Sequence, residues 1–185
     1  TGSGMAILIG PNGTEVIVGQ DGTEPLRLAT ENPLQERQWY RVWGSVDADT
    51  GEVIVGQQRL GGESVCESAL NVNAITLASN APILIGAFGN ESPGGYFNGK
   101  IEAPKIHGAA IDPTESDANL MAHWDFSNAI SSKRVVDAGP LMLHGHVVNA
   151  PARAMTGSNW YGEEMRWQHA WEQSGIFHPD PTASG

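Results

Sequence analysis

Cysteine is all but missing from this chain. Cys66 stands alone among 185 residues, so no internal disulfide can form and packing and hydrogen bonds must hold the fold. Without a cysteine–histidine signature around it, Cys66 reads as a small, semi-buried side chain and not as a nucleophile. Basic residues are also scarce, with 10 Lys and Arg against 21 Asp and Glu and a formal net charge of -11. That balance excludes a surface built to grip nucleic acid or anionic lipid. No apolar run approaches the length of a membrane-spanning helix, and no basic-then-apolar leader opens the sequence. The expectation is therefore a cytoplasmic protein with neither nucleic acid nor membrane as partner.

Charged residues make up only 17% of the chain, and their place is taken by 23 Gly and 11 Pro. Both are poor in helix interiors, which argues against a helical bundle and for an all-β domain rich in turns. Met5-Ala-Ile-Leu-Ile9 stops at Gly10-Pro11-Asn12-Gly13, resumes as Val16-Ile-Val18 and turns again at Asp21-Gly22. Asn-Gly and Asp-Gly supply the positive φ that tight hairpins require. Residues 38–46 then alternate with period two, placing Trp39, Arg41, Trp43 and Ser45 on one face and Tyr40, Val42, Gly44 and Val46 on the other. Asp47 to Glu52 turns this strand back into Val53-Ile-Val55. Further strands are expected at 83–85, from 96 to about 111, at 120–126 and over 141–148. Several short strands between strong turns predict a β-sandwich or jelly roll of antiparallel strands.

Two sets of residues resemble known families. Trp39-Tyr40-Arg41-Val42 leading to Asp47 and Thr50-Gly51 resembles the central hairpin of concanavalin A-like (laminin G-like) sandwiches. Leu84-Ile85-Gly86 with Phe97-Asn98-Gly99-Lys100-Ile101-Glu102, and His123-Trp124-Asp125-Phe126 with Val136-Asp137 and His144-Gly145, resemble later strands of the same group. The segment from Asn149 to Trp160, with Gly162-Glu163-Glu164-Met165, Trp167 and His169, is similar to the large (β) subunit of N,N-dimethylformamidase-like proteins. In those iron-dependent amidohydrolases it joins a sandwich to a downstream domain that supplies tyrosine and glutamate ligands. The resemblance implies a concanavalin A-like sandwich over 5–157 and an aromatic extension or linker over 158–185, with residues 1–4 an expression remnant or loop. It also implies that iron belongs to the parent's downstream domain, that this chain carries no catalytic or cofactor-binding residue, and that its partners are other domains or subunits of the parent, or a second copy of itself.

Residue chemistry adds weaker candidates. Glycosidases need two carboxylates facing one sugar, and the partial match Glu115-Ser116-Asp117 lacks its closing glutamate. Asp47 and Asp49, with Asp125 and Asp137, are conceivable calcium ligands, although a hairpin turn explains Asp47-Ala-Asp49-Thr-Gly51 without metal. His144 and His146 are two apart, yet no cysteine or carboxylate stands at zinc-site spacing. Trp39, Trp43 and Trp160 are candidates to stack on a carbohydrate, as in a free-standing lectin-like module, although alternating tryptophans more often fill a core. Trp167, His169 and Trp171 are interface candidates in the extension, where Glu163-Glu164 suit a short helix. Finally, a concanavalin A-like sandwich usually has more strands than this sequence displays. Strands of the parent are therefore expected to precede Met5, whose strand would otherwise present an open edge for the extension or a second copy to cover.

Overall fold

A computed structural model of the chain describes residues 4–19, 22–63, 65–72, 75, 82–89, 94–110, 118–149 and 151–153. Among these residues every regular element is a β-strand, and the strands form three antiparallel sheets. β1 (Gly4–Gly10), β2 (Gly13–Gly19) and β3 (Leu26–Ala29) make the first, in that order; the ladder between β1 and β2 runs without slip from Gly4 opposite Gly19 to Gly10 opposite Gly13. Gly13 closes the hairpin at φ 92°, and a Cβ there would lie 2.2 Å from the Asn32 carbonyl oxygen, so no other residue fits.

β4 (Tyr40–Val46), β5 (Glu52–Arg59) and β6 (Val65–Asn71) make the second sheet, again in chain order. The β4–β5 turn is built by Asp47. Its carboxylate accepts the backbone N–H groups of Asp49 (2.9 Å) and Thr50 (3.0 Å), and Gly51 takes φ 76°. These bonds, that from Thr50 foremost, hold the Asp47 carboxyl below the usual carboxylate range.

The two sheets meet face to face. Period two sends Val16 and Val18 of β2, and Val53 and Val55 of β5, into one fully buried cluster with Ile75; Leu26, Leu28, Val46 and Val72 close around it. Each buried valine is worth roughly 1.5 kcal/mol or more. Beside this apolar layer lies a polar bridge. Gln57 of β5 is buried, and its Oε1 accepts the Thr14 N–H (2.9 Å), the Thr14 hydroxyl (2.8 Å) and the Thr30 hydroxyl (3.0 Å), while its Nε2 donates to the Asn32 carbonyl (2.7 Å).

The third sheet has the order β10-β9-β8-β7, from β7 (Lys105–His107), β8 (Leu120–Asp125), β9 (Arg134–Asp137) and β10 (Gly145–His146). Ala122 and Trp124 of β8 are buried, and the Trp124 indole N–H donates to the Leu143 carbonyl at 2.9 Å.

Several strand expectations are corrected. Residues 83–85 form no strand, and Ile83, Leu84 and Ile85 are exposed; apolar character alone does not create a ladder partner. Of the extended stretch expected from 96, only Lys105–His107 is a strand among the described residues, although the Phe97 N–H bonds the Gly86 carbonyl at 3.0 Å, and 141–148 contributes only Gly145–His146. β3 pairs antiparallel with β2, as the second hairpin read at Asp21-Gly22 requires, whereas β6 arises where no strand was expected and pairs antiparallel with β5. The extension 158–185, with its expected helix, and the Glu115-Ser116-Asp117 triplet lie outside the described residues.

Candidate functional site

The outward face of the second sheet gathers the aromatic candidates. Since Val53, Val55 and Gln57 point into the sandwich, Ile54, Gly56 and Gln58 point away from it. Register places Arg41, Trp43 and Ser45 of β4 and Val65, Glu67 and Ala69 of β6 on that same outer face. Trp43, Gly56 and Glu67 are consecutive cross-strand partners. The indole of Trp43 lies flat over Gly56, where an added Cβ would sit 2.2 Å from ring carbons, and its Nε1–H reaches Glu67 Oε2 at 3.2 Å. Trp43 is half-buried and faces away from the sandwich, which corrects the expectation that this tryptophan fills the core: period two specifies a shared face but not which face is inward. Trp39, just before β4, is also half-buried, with the Lys100 ammonium 5.9 Å from its ring centroid. The structure thus brings Trp43 together with Glu67, and Trp39 with Lys100. Trp160, Trp167, His169 and Trp171 fall outside the described residues.

The carboxylates considered for calcium are engaged in local architecture. Asp125 binds the hydroxyl (2.6 Å) and N–H (2.9 Å) of Ser127 and the Asn128 amide (2.8 Å); the Ser127 hydroxyl leads in holding its carboxyl low. Asp137 is buried within the third sheet. Its Oδ1 accepts the N–H groups of His123 and Gly139, both at 2.7 Å, and its Oδ2 accepts that of Leu143 at 2.6 Å. Burial pushes this carboxyl up, but the three amide donors and the nearby His144 outweigh it, and the group ends below the usual range. His144 Nδ1 accepts the Asp137 N–H at 3.1 Å, and the His107 ring bonds the Ala118 carbonyl at 2.9 Å, so both rings serve the fold. Among the described residues no group of three or more His, Cys, Asp or Glu converges closely enough to hold a metal ion, so these residues do not fit an iron centre. A shallow depression of about 230 Å³ beside the β1–β2 turn is lined by the ion-paired Arg27 and Glu15 with Glu31 and the turn residues; none of its buried side-chain atoms lacks a partner.

Two features escaped the sequence reading. One is the Gln57 bridge. The other is Arg153, whose guanidinium donates to five backbone carbonyls of the β8–β9 connection and the start of β9: Phe126 (3.0 Å), Ala129 (3.4 Å), Ser132 (3.2 Å), Arg134 (3.1 Å) and Asn128. Neither had a local signal in the sequence; Gly56, a glycine inside a strand, signals a different contact, the close approach of the Trp43 ring.

Fold and site together define an all-β domain of antiparallel sheets, with an aromatic platform on one outer face and with its best-bonded polar groups engaged in architecture. Over most of its length the chain is similar to N,N-dimethylformamidase β subunits. It is 26% identical to that of Alcaligenes sp over 96% of this chain and 28% of that protein, and 29% identical to that of Paracoccus aminophilus over 88% of this chain and 26% of that protein. The chain therefore spans little more than a quarter of the length of these curated relatives. A valine–tRNA ligase of Prochlorococcus marinus is 71% identical over 24 residues, which is 13% of this chain and too short to bear on fold or activity. No protein-family profile matches the chain.

Proposed function

We propose that this chain is a concanavalin A-like accessory and assembly domain of an N,N-dimethylformamidase-like amidohydrolase large subunit, with the amide C–N bond cleaved elsewhere in the parent. The observation that carries this reading is the similarity to two such subunits along nearly the whole chain. The use of Asp47, Asp125 and Asp137 to brace turns supports a scaffolding role. In this reading iron and its ligands belong to the parent's downstream domain, and the partners of the present chain are that domain and the other subunits. Supplied with iron, the 185-residue chain is expected to release no dimethylamine from N,N-dimethylformamide, and to co-elute with the remainder of a formamidase-like large subunit or its companion subunit in size-exclusion chromatography. Turnover by the chain alone, or separate elution from both, overturns the proposal.

A second reading, a carbohydrate-binding module, is favoured by one observation: the Trp43 indole laid flat across Gly56 on the outward face, with Arg41, Gln58 and Glu67 on the same face. A pyranose stacks on such a surface while its hydroxyls bond to polar neighbours. Gly56→Val would lift the indole from its seat. It is expected to weaken binding on a glycan array about tenfold or more, in keeping with the loss of an aromatic contact worth about 1.5 kcal/mol. A wild-type chain that binds no glycan excludes this reading and leaves the first untouched.

A further inference from the structure

We infer that β1 is a pairing edge for a second copy of this chain, the two strands joining antiparallel about a two-fold axis at Ile7. Among the described residues β1 pairs with β2 along one side for all seven of its residues and ends the β1-β2-β3 sheet on the other. An unpaired strand edge is a template for another chain, and soluble proteins commonly blunt such edges with charge or proline. Four of the other five strands at sheet ends follow that rule: β3 carries Arg27, β4 Arg41, β6 Glu67 and β7 Lys105, and the fifth, β10, is only two residues long. β1, Gly4-Met-Ala-Ile-Leu-Ile-Gly10, has neither charge nor proline.

Its occupant is specified by self-complementarity. A two-fold axis at Ile7 sets Met5 against Ile9, Ala6 against Leu8 and Gly4 against Gly10, so apolar residues meet apolar ones and glycine meets glycine. Met5, Ile7 and Ile9 lie on the core-facing side of the sheet, yet they remain 38%, 44% and 39% exposed, and their counterparts in the second copy would continue that apolar row. Charge selects the same place. Two copies at a net charge of -11 repel over most of their surfaces, and least where a whole strand is uncharged. A pair of seven-residue strands is smaller than the roughly 800 Å² per partner of a stable interface, so association is concentration-dependent. It strengthens with salt, which screens the repulsion between copies, whereas docking to a basic partner would weaken.

The inference is independent of the formamidase reading, because it concerns only the self-association of this chain. Sedimentation velocity from about 1 to about 200 µM should show a monomer–dimer equilibrium shifted towards dimer by added salt, with Ile7→Lys monomeric throughout that range. Register is tested in a Cys66→Ser background. Ile7→Cys should oxidise to a covalent dimer because identical residues face each other at the axis, while the exposed control Leu141→Cys should not. Should Ile7→Lys fail to fold, the cysteine pair decides. A wild-type chain monomeric across the range, or cross-linking of Ile7→Cys no faster than Leu141→Cys, overturns the inference.

Discussion

Gln57→Leu is expected to lower stability by about 3–4 kcal/mol, a fall in Tm of roughly 6–16 °C for a chain of this size. The substitution keeps the volume and the apolar stem, so the loss is electrostatic. It leaves the Thr14 hydroxyl without its acceptor inside the sandwich, removes the Gln57 oxygen from the Thr30 hydroxyl, and leaves the Asn32 carbonyl without its Gln57 donor. The Thr14 N–H retains only its longer contact to the Thr30 hydroxyl at 3.2 Å. Buried donors and acceptors left unpaired cost about 1–3 kcal/mol each, and partial relaxation keeps the total below their sum. Gln58→Leu is the control. That residue points to the outer face, and its amide makes one 3.3 Å bond to the Gly62 carbonyl, so a change within about 0.5 kcal/mol is expected. Equal melting temperatures for the two variants would show that the Gln57 bridge does not join the sheets.

Asp137→Asn is expected to cost about 3 kcal/mol and to flatten the acid limb of the stability profile. An asparagine retains one acceptor oxygen, but its amide nitrogen must then face a backbone N–H that the carboxylate now accepts at 2.6–2.7 Å. The pH dependence follows from the direction of the shift. The folded-state value lies below the usual carboxylate range, so the contribution is complete above the unfolded-state value of about 3.9 and is lost as pH falls through the lower, folded-state value. Asp47 and Asp125 shift in the same direction, so the wild-type protein should lose stability steeply below about pH 4 and Asp137→Asn less steeply. Parallel acid profiles for the two proteins, measured by chemical denaturation, would remove Asp137 from this role.

What could be read from the sequence was local. The Gly10–Gly13 turn, the Asp47–Gly51 turn and the alternation of β4 each depend on neighbours a few residues away, and each forms where expected. Features that depend on distant partners could not be read. Ile83-Leu-Ile85 is as apolar as β1 but pairs with no strand among the described residues, whereas the polar-interrupted Val65–Asn71 becomes β6 because β5 offers a free edge. The tryptophan pattern of β4 showed which side chains share a face, but only packing against β2 decides that Gly44 faces inward and Trp43 outward. At Gly44 a Cβ would meet the side chains of Met5, Val16 and Ile7 within 3.2 Å. Arg153 was equally hidden, because its partners are main-chain carbonyls that any residue type supplies.

The Arg153 contacts also determine how the domain answers a mechanical pull. β10 is held to β9 by a two-residue ladder, Gly145 opposite Val135 and His146 opposite Arg134, continued by the Val147 N–H to the Lys133 carbonyl at 2.7 Å. This short seam would peel open one rung at a time under tension. A force applied on the C-terminal side reaches Arg153 first. There the guanidinium's bonds to the 126–134 backbone share the load and must give way together before the ladder is stressed. The joint turns peeling into shear, so whatever follows residue 153 is coupled to the β8–β9 hairpin and not to the weak last strand.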